Sequence, residues 1–172
     1  MLDQFKISRP KIEELIQKME FDFSQGLNGC SSPIQMLPTY VQALPDGSEQ
    51  GDFFALDLGG TNFRVLLVKL RDGRVTLDQK TFPIAQEIMH GSSDKLFGYI
   101  AECLANFAKE KLGATTKNIG TVGFTFSFPV LQTSLTSGTL ITWTKGFDVE
   151  GVVNEDIVQL LSKAIKSRNV SV

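Results

Sequence analysis

Between Leu56 and Arg64 the chain reads Leu-Asp-Leu-Gly-Gly-Thr-Asn-Phe-Arg, a run of groups suited to approaching a polyanion. The adjacent Gly59 and Gly60 permit positive φ and leave backbone N–H groups bare, with no Cβ in the way of a phosphate. Thr61 and Asn62 add side-chain donors, and Arg64 adds a fixed positive charge. Asp57 would repel phosphate and is better suited to hold a hydrated Mg²⁺. A Gly-Gly pair taken alone equally suits a plain tight hairpin. Neither the P-loop pattern nor the dinucleotide-binding glycine pattern is present.

A second informative stretch is Gly123-Phe-Thr-Phe-Ser-Phe-Pro129, followed by Gly138-Thr-Leu-Ile-Thr-Trp-Thr-Lys-Gly-Phe147. Ser127, at the end of an apolar run, can direct a hydroxyl and backbone groups into a cleft. Thr144 and Lys145 follow Trp143, and Gly146 lets the chain turn away. Lys145 could bond a ligand hydroxyl and offset charge on a transferred phosphoryl group. Taken singly, Phe124, Phe126, Phe128 and Trp143 read as core, and Lys145 as a surface lysine. The single histidine, His90, precedes Gly-Ser-Ser and reads as a solvated loop residue. Cys30 and Cys103 form no CxxC and read as a free, reduced pair.

These residues need a frame. The pattern predicts a helix over residues 10–24, with Ser8 as cap, Pro10 in the first turn and Ile12, Leu15, Ile16 and Met19 at helical spacing. An extended segment over 36–44 and a turn over 45–48 come next. Strands are predicted over 52–58, 63–70 and 75–82, the last two joined by Asp72-Gly73, a strong hairpin signal. Together they make a three-stranded antiparallel meander. Ser92 or Ser93 opens a long helix that Gly113 closes. A strand over 119–127 reads as buried on both faces, and another is expected over 138–143. Asn154-Glu155-Asp156 opens the last helix, with Lys163, Lys166 and Arg168 near its negative end.

The chain has 172 residues, enough for a domain with a real core. Its 17 basic and 19 acidic residues leave a net charge of −2, which argues against a nucleic-acid or membrane-surface partner. No apolar run approaches the ~20 residues of a membrane span. The sequence starting at Met1 lacks the apolar stretch of a signal peptide.

Taken whole, the Leu56–Arg64 nonapeptide closely resembles the first phosphate-binding motif of the hexokinases, and the two later segments resemble their glucose-binding segments. Gln132 matches as well, while Val130 stands where a cysteine is common. The stretches around 36–41, 44–49 and 96–107 also look like hexokinase segments, so the resemblance covers essentially the whole chain. It implies an α/β, ribonuclease-H-like (actin-like ATPase) lobe with a mixed sheet, a three-stranded meander followed by alternating helix and strand. Residues 1–172 would be the N-terminal small-lobe region, with 1–35 as its N-terminal helix and connecting loop.

The resemblance further implies ATP and Mg²⁺ as cofactors and D-glucose or a related hexose as substrate, phosphorylated in the cytoplasm as glycolysis begins. Asp57, Gly59, Gly60, Thr61, Asn62 and Arg64 would then serve the nucleotide, Asp57 holding the metal through water. Ser127, Phe128, Thr144 and Lys145 would contact the sugar, with Lys145 supporting catalysis. The family's base is the Asp of an Asn-Asp-Thr-Val-Gly-Thr motif that lies beyond the stretch resembling 149–172. The expectation is therefore that these residues contain no base, that the large lobe is the partner they need, and that alone they are inactive. The competing expectation is a non-catalytic module that binds a sugar or glucose 6-phosphate.

Overall fold

The computed structural model describes residues 6–41 and 43–172. Met1–Phe5, at the start of the stretch read for a leader, and Gln42, within the predicted extended segment, lie outside the described residues. The chain divides into two compact units, Met1–Thr39 and Tyr40–Val172.

The first unit is built on α1 (Arg9–Leu27), longer than the predicted helix at both ends. Pro sits at its start, where the missing N–H costs nothing. Ser8 occupies the N-cap position, but its side chain makes no capping hydrogen bond. In the second unit, residues 43–50 form no strand. The turn at 45–48 is closed instead by side chains: Glu49 accepts from the N–H groups of Asp46 and Gly47, and Asp46 from that of Ser48.

Alternating apolar residues on the first two strands then build a meander of β1 (Gly51–Leu58), β2 (Asn62–Arg71) and a largely exposed β3 (Arg74–Pro83). Phe54, Leu56 and Leu58 face one side with Phe63, Val65 and Leu67, and all six are buried. Asp72 and Gly73 both take left-handed conformations, φ 50° and 70°, as a two-residue hairpin between twisted strands requires. The helix α2 (Gln86–Met89), a single turn, was not foreseen. His90 follows it, exposed, with its ring nitrogen Nε2 3.1 Å from the Gln86 side chain.

The long helix α3 (Ser93–Leu112) is capped by Ser92 and ended by Gly113. Its apolar face, from Leu96 to Ala108, is buried, and Phe107 meets Phe54 of β1 edge-to-face at 6.2 Å. This crossover delivers β4 (Val122–Phe126) parallel to β1, giving the sheet order β3-β2-β1-β4. The strand predicted over 119–127 is thus shorter, because Gly120 at φ 68° interrupts the extended run. It is also not buried on both faces. Val122, Phe124 and Phe126 are half-buried, whereas Gly123 and Thr125 are exposed. The strand forms the edge of the sheet, and its small and polar residues occupy the face opposite the aromatic ones.

A separate hairpin follows, β5 (Val130–Ser134) with β6 (Ser137–Leu140). The first of these was not predicted, and the second stops before Trp143 because the chain leaves the ladder to form the turn described below. Asp156 caps α4 (Ile157–Lys166), its carboxylate accepting from the N–H groups of Val158 and Gln159. The Ser137 hydroxyl donates to the same carboxylate at 2.7 Å, which ties the hairpin to the helix. A groove of about 560 Å³ opens between β4, the hairpin and α4. None of the residues expected to bind phosphate or sugar lines it. Among the described residues no helix is long and apolar enough to cross a membrane.

Candidate functional site

The residues expected to serve phosphate and those expected to serve sugar meet where the parallel strands β1 and β4 end. Leu58 pairs with Phe126, and the Ser127 N–H donates to the Leu58 carbonyl at 3.2 Å. Ser127 therefore lies directly beside the start of the Gly59-Gly60 connection. The carboxyl ends of parallel strands are where open α/β sheets take their ligands.

The connection from β1 to β2 is closed by the Gly59 N–H donating to Asn62 O at 3.4 Å. Neither Gly59 nor Gly60 adopts positive φ, so conformational freedom is not what the pair contributes, contrary to the sequence argument. Its contribution is space. A Cβ placed on Gly60 would meet nothing within 4 Å, and one on Gly59 only Asn62 O at 3.8 Å. Among the described residues the N–H groups of Gly60 and Thr61 make no backbone hydrogen bond, so they remain for a ligand. Asn62 and Thr61 are exposed, and the Asn62 side-chain amide donates to the Thr61 hydroxyl at 3.4 Å. The Thr61 carbonyl accepts from Ile84 N–H at 3.1 Å, which fastens the tip to the far end of β3.

Asp57 and Arg64 face each other across β1 and β2 and form an ion pair, Nη1 to Oδ2, at 3.1 Å. Arg64 is thus partly engaged by the carboxylate rather than standing free toward the tip. A residue the sequence reading passed over completes the arrangement. Thr125 of β4 stands opposite Asp57, and its hydroxyl lies 3.1 Å from Oδ1 and 3.0 Å from the Leu56 carbonyl. The only available signal was a threonine alternating with aromatic residues, on the side that the apolar pattern leaves out.

The described residues contain no group of three or more His, Cys, Asp or Glu side chains able to enclose a metal. A single carboxylate beside a bare phosphate tip nevertheless fits Mg²⁺, which keeps several waters and is shared with nucleotide phosphates. Asp57 is the residue that would hold it.

On the sugar side, Thr144-Lys145-Gly146-Phe147 forms a tight turn closed by Phe147 N–H to Thr144 O at 3.1 Å. Lys145 and Gly146 are both left-handed, φ 57° and 79°. The Lys145 ammonium donates to the Ser127 carbonyl at 2.7 Å and lies 5.4 Å from the centre of the Phe128 ring. Ser127, Thr144 and Lys145 are exposed. Phe128 is 7% exposed, its ring 4.8 Å from those of Phe126 and Trp143 and 5.0 Å from that of Phe147. Its ring is therefore core, as the aromatic pattern suggests, and the exposed polar side chains here are those of Ser127, Thr144 and Lys145. The Trp143 indole donates to Val149 O at 3.0 Å, and Asp148 N–H to Met89 O at 2.9 Å. These bonds pin both ends of the turn.

The chain matches the hexokinase family model over residues 1–172. It is 47% identical to horse (Equus caballus) hexokinase-2 and 46% identical to the human (Homo sapiens) protein of that name, each over 97% of this chain. In both cases it spans 19% of the relative's length. Among solved structures, the hexokinase from Schistosoma mansoni complexed with glucose superposes with a TM-score of 0.82 at 41% identity. That match covers 99% of this chain and 39% of the other. A second hexokinase crystal structure matches with a TM-score of 0.73 at 31% identity, over 96% of this chain and 41% of the other. The α/β lobe, its mixed sheet and its whole length thus agree with these proteins, and the chain belongs to the hexokinase family.

Proposed function

We propose that the chain forms the N-terminal, small-lobe part of an ATP-dependent hexose kinase that phosphorylates the 6-hydroxyl of D-glucose or a related hexose in the cytoplasm. The observation that supports this reading is the junction at Leu58 and Ser127, where the start of the glycine connection lies beside the residue whose carbonyl accepts from Lys145. Family membership and the likeness to a hexokinase complexed with glucose support the same assignment.

In this reading the N–H groups of Gly60 and Thr61, with Asn62, bind the phosphate chain, and Asp57 would hold Mg²⁺. When bound, the metal supplies charge neutralisation to the phosphates. Ser127, Thr144 and Lys145 orient the hexose. The Lys145 ammonium, 2.7 Å from the Ser127 carbonyl, keeps its remaining donors for sugar hydroxyls and places positive charge close to the transferred group.

These residues bind and orient, but proton abstraction needs a carboxylate at the sugar hydroxyl. Asp57 is already engaged by Arg64 and Thr125. We therefore assign the base, and the closure that excludes water, to a large lobe, and infer that the 172 residues by themselves do not turn over. A coupled ADP-release assay with glucose, paired with calorimetry for glucose, glucose 6-phosphate and Mg²⁺-ADP, tests this. Saturable binding without turnover is expected. Robust turnover would overturn the assignment of the base, and binding of none of the three ligands would overturn the site.

A further inference from the structure

We propose that Thr125 is a positioning residue, whose hydroxyl fixes the Asp57 carboxylate in the orientation that the phosphate tip requires. The inference rests on the phosphate-site reading above and adds to it a residue that the phosphate and sugar motifs do not include.

Three side chains stand in one row across three strands. Asp57 of β1 pairs with Arg64 of β2 in the antiparallel ladder and with Thr125 of β4 in the parallel one. The carboxylate is gripped from both sides, Oδ2 by the Arg64 guanidinium at 3.1 Å and Oδ1 by the Thr125 hydroxyl at 3.1 Å. A carboxylate oxygen carries two lone pairs, so each oxygen retains accepting capacity after these bonds. The two restraints come from opposite neighbours, which leaves the carboxyl little freedom to rotate. Arg64 alone would hold only one oxygen, on a long and half-exposed side chain.

Thr125 is suited to this in three ways. Its hydroxyl proton is shared with the Leu56 carbonyl at 3.0 Å, so the group is anchored to the backbone of the strand that carries Asp57. Branching at Cβ restricts χ1 and holds the hydroxyl on the carboxylate side. It is also the only polar side chain in β4, whose other residues are Val122, Gly123, Phe124 and Phe126. The row lies on the sheet face opposite the buried Leu56 and Leu58, so it adds no apolar burial. Because Ser127 lies two residues further along, Thr125 also links the metal-side carboxylate to the strand that presents the sugar-side hydroxyl.

The test compares Thr125→Val and Thr125→Ser with the parent in the 172-residue chain. The three-bond couplings from Asp57 Cγ to its backbone nitrogen and carbonyl carbon report the side-chain rotamer without any ligand. A single rotamer is expected for the parent and for Thr125→Ser, and averaged couplings for Thr125→Val. Calorimetric titration with Mg²⁺-ADP is expected to show affinity lower by about tenfold or more for Thr125→Val, the usual consequence of losing a group that orients a metal ligand, with recovery in Thr125→Ser. Should valine disturb the strand, Thr125→Ala removes the same hydroxyl and is read in the same way. Unchanged couplings in the hydroxyl-free variant would overturn the proposal, as would unchanged nucleotide affinity in a parent that binds. A parent that binds no Mg²⁺-ADP counts against the phosphate-site reading, and the couplings then decide the role of Thr125 alone.

Discussion

The glycine tip at residues 59–61 and the Lys145-Gly146 turn belong to one candidate site but are held by different forces. The tip connects two strands that are neighbours in sequence, and its shape follows from the β1–β2 ladder, the closing bond from Gly59 to Asn62 and one backbone bond from Ile84 to Thr61. No bulky side chain lies against it, and both glycines keep ordinary negative-φ or extended backbone. The sugar turn is the opposite case. Its two central residues are left-handed, and it rests on rings from Phe126, Phe128, Trp143 and Phe147. A phosphate tip needs bare amides and little else. In the proposed function the second turn aims an ammonium and a hydroxyl at a neutral sugar, and it takes rigid support from distant parts of the chain.

The contrast can be broken most severely at Phe128. Replacing it with alanine removes the centre of the aromatic cluster and should cost about 3–5 kcal/mol in urea unfolding. A loss below about 1 kcal/mol, the range of a mild or surface change, would mean the cluster does not hold the turn. Next in size, Gly146→Ala places a Cβ in a left-handed position and should cost about 1–2 kcal/mol. A melting temperature equal to the parent's would show that the turn is free to relax.

The cap of α4 tests the support one step further out. Asp156→Ala should cost about 1 kcal/mol, through loss of two capping bonds and the tie to Ser137. Burial works to raise the pKa of this carboxyl, but the Ser137 hydroxyl and the N–H groups of Gln159 and Val158 outweigh it and hold it below the ordinary 3.8. A depressed carboxylate contributes stability above its unfolded value, and that contribution is lost as pH falls through the folded value. Asp156→Asn should therefore flatten the acid limb of a stability–pH curve, and an unchanged limb would contradict the assignment. The smallest stability effect is expected at Gly60→Ala, within about 0.5 kcal/mol, because the space is open. The same variant should weaken Mg²⁺-ADP binding in calorimetry by crowding the bare amides. A large stability loss with intact binding would reverse the account of the tip.

The sequence carried the meander well because each of its signals is local. The apolar run over 52–58, the Val- and Leu-rich run over 63–70 and the Asp72-Gly73 pair mark strands and turn between sequence neighbours. The caps of α3 and α4 were equally readable, since a serine or aspartate before an apolar helix acts within one turn. The Val130–Ser134 strand was not readable, because five residues of mixed polarity after Pro129 carry no clear period and its partner, not its composition, makes it a strand. The predicted burial of 119–127 on both faces failed for a related reason. Gly123 and Thr125 already marked an exposed face, but whether a strand is central or at the edge depends on what pairs with it.

For the site, sequence alone determined which residue types were available: two glycines free of Cβ atoms, a carboxylate at a strand end, and a lysine before a glycine. Tertiary structure decided how they act together. Asp57 and Thr125 are 68 positions apart, and Ser127 and Lys145 are 18 apart. The first pair meets only because burial of α3 brings β4 parallel to β1, and the second because aromatic packing folds the turn back onto the strand end. Local pattern specifies the geometry of a residue and its near neighbours, whereas parallel pairing across a crossover is selected by the apolar surface that the whole lobe buries.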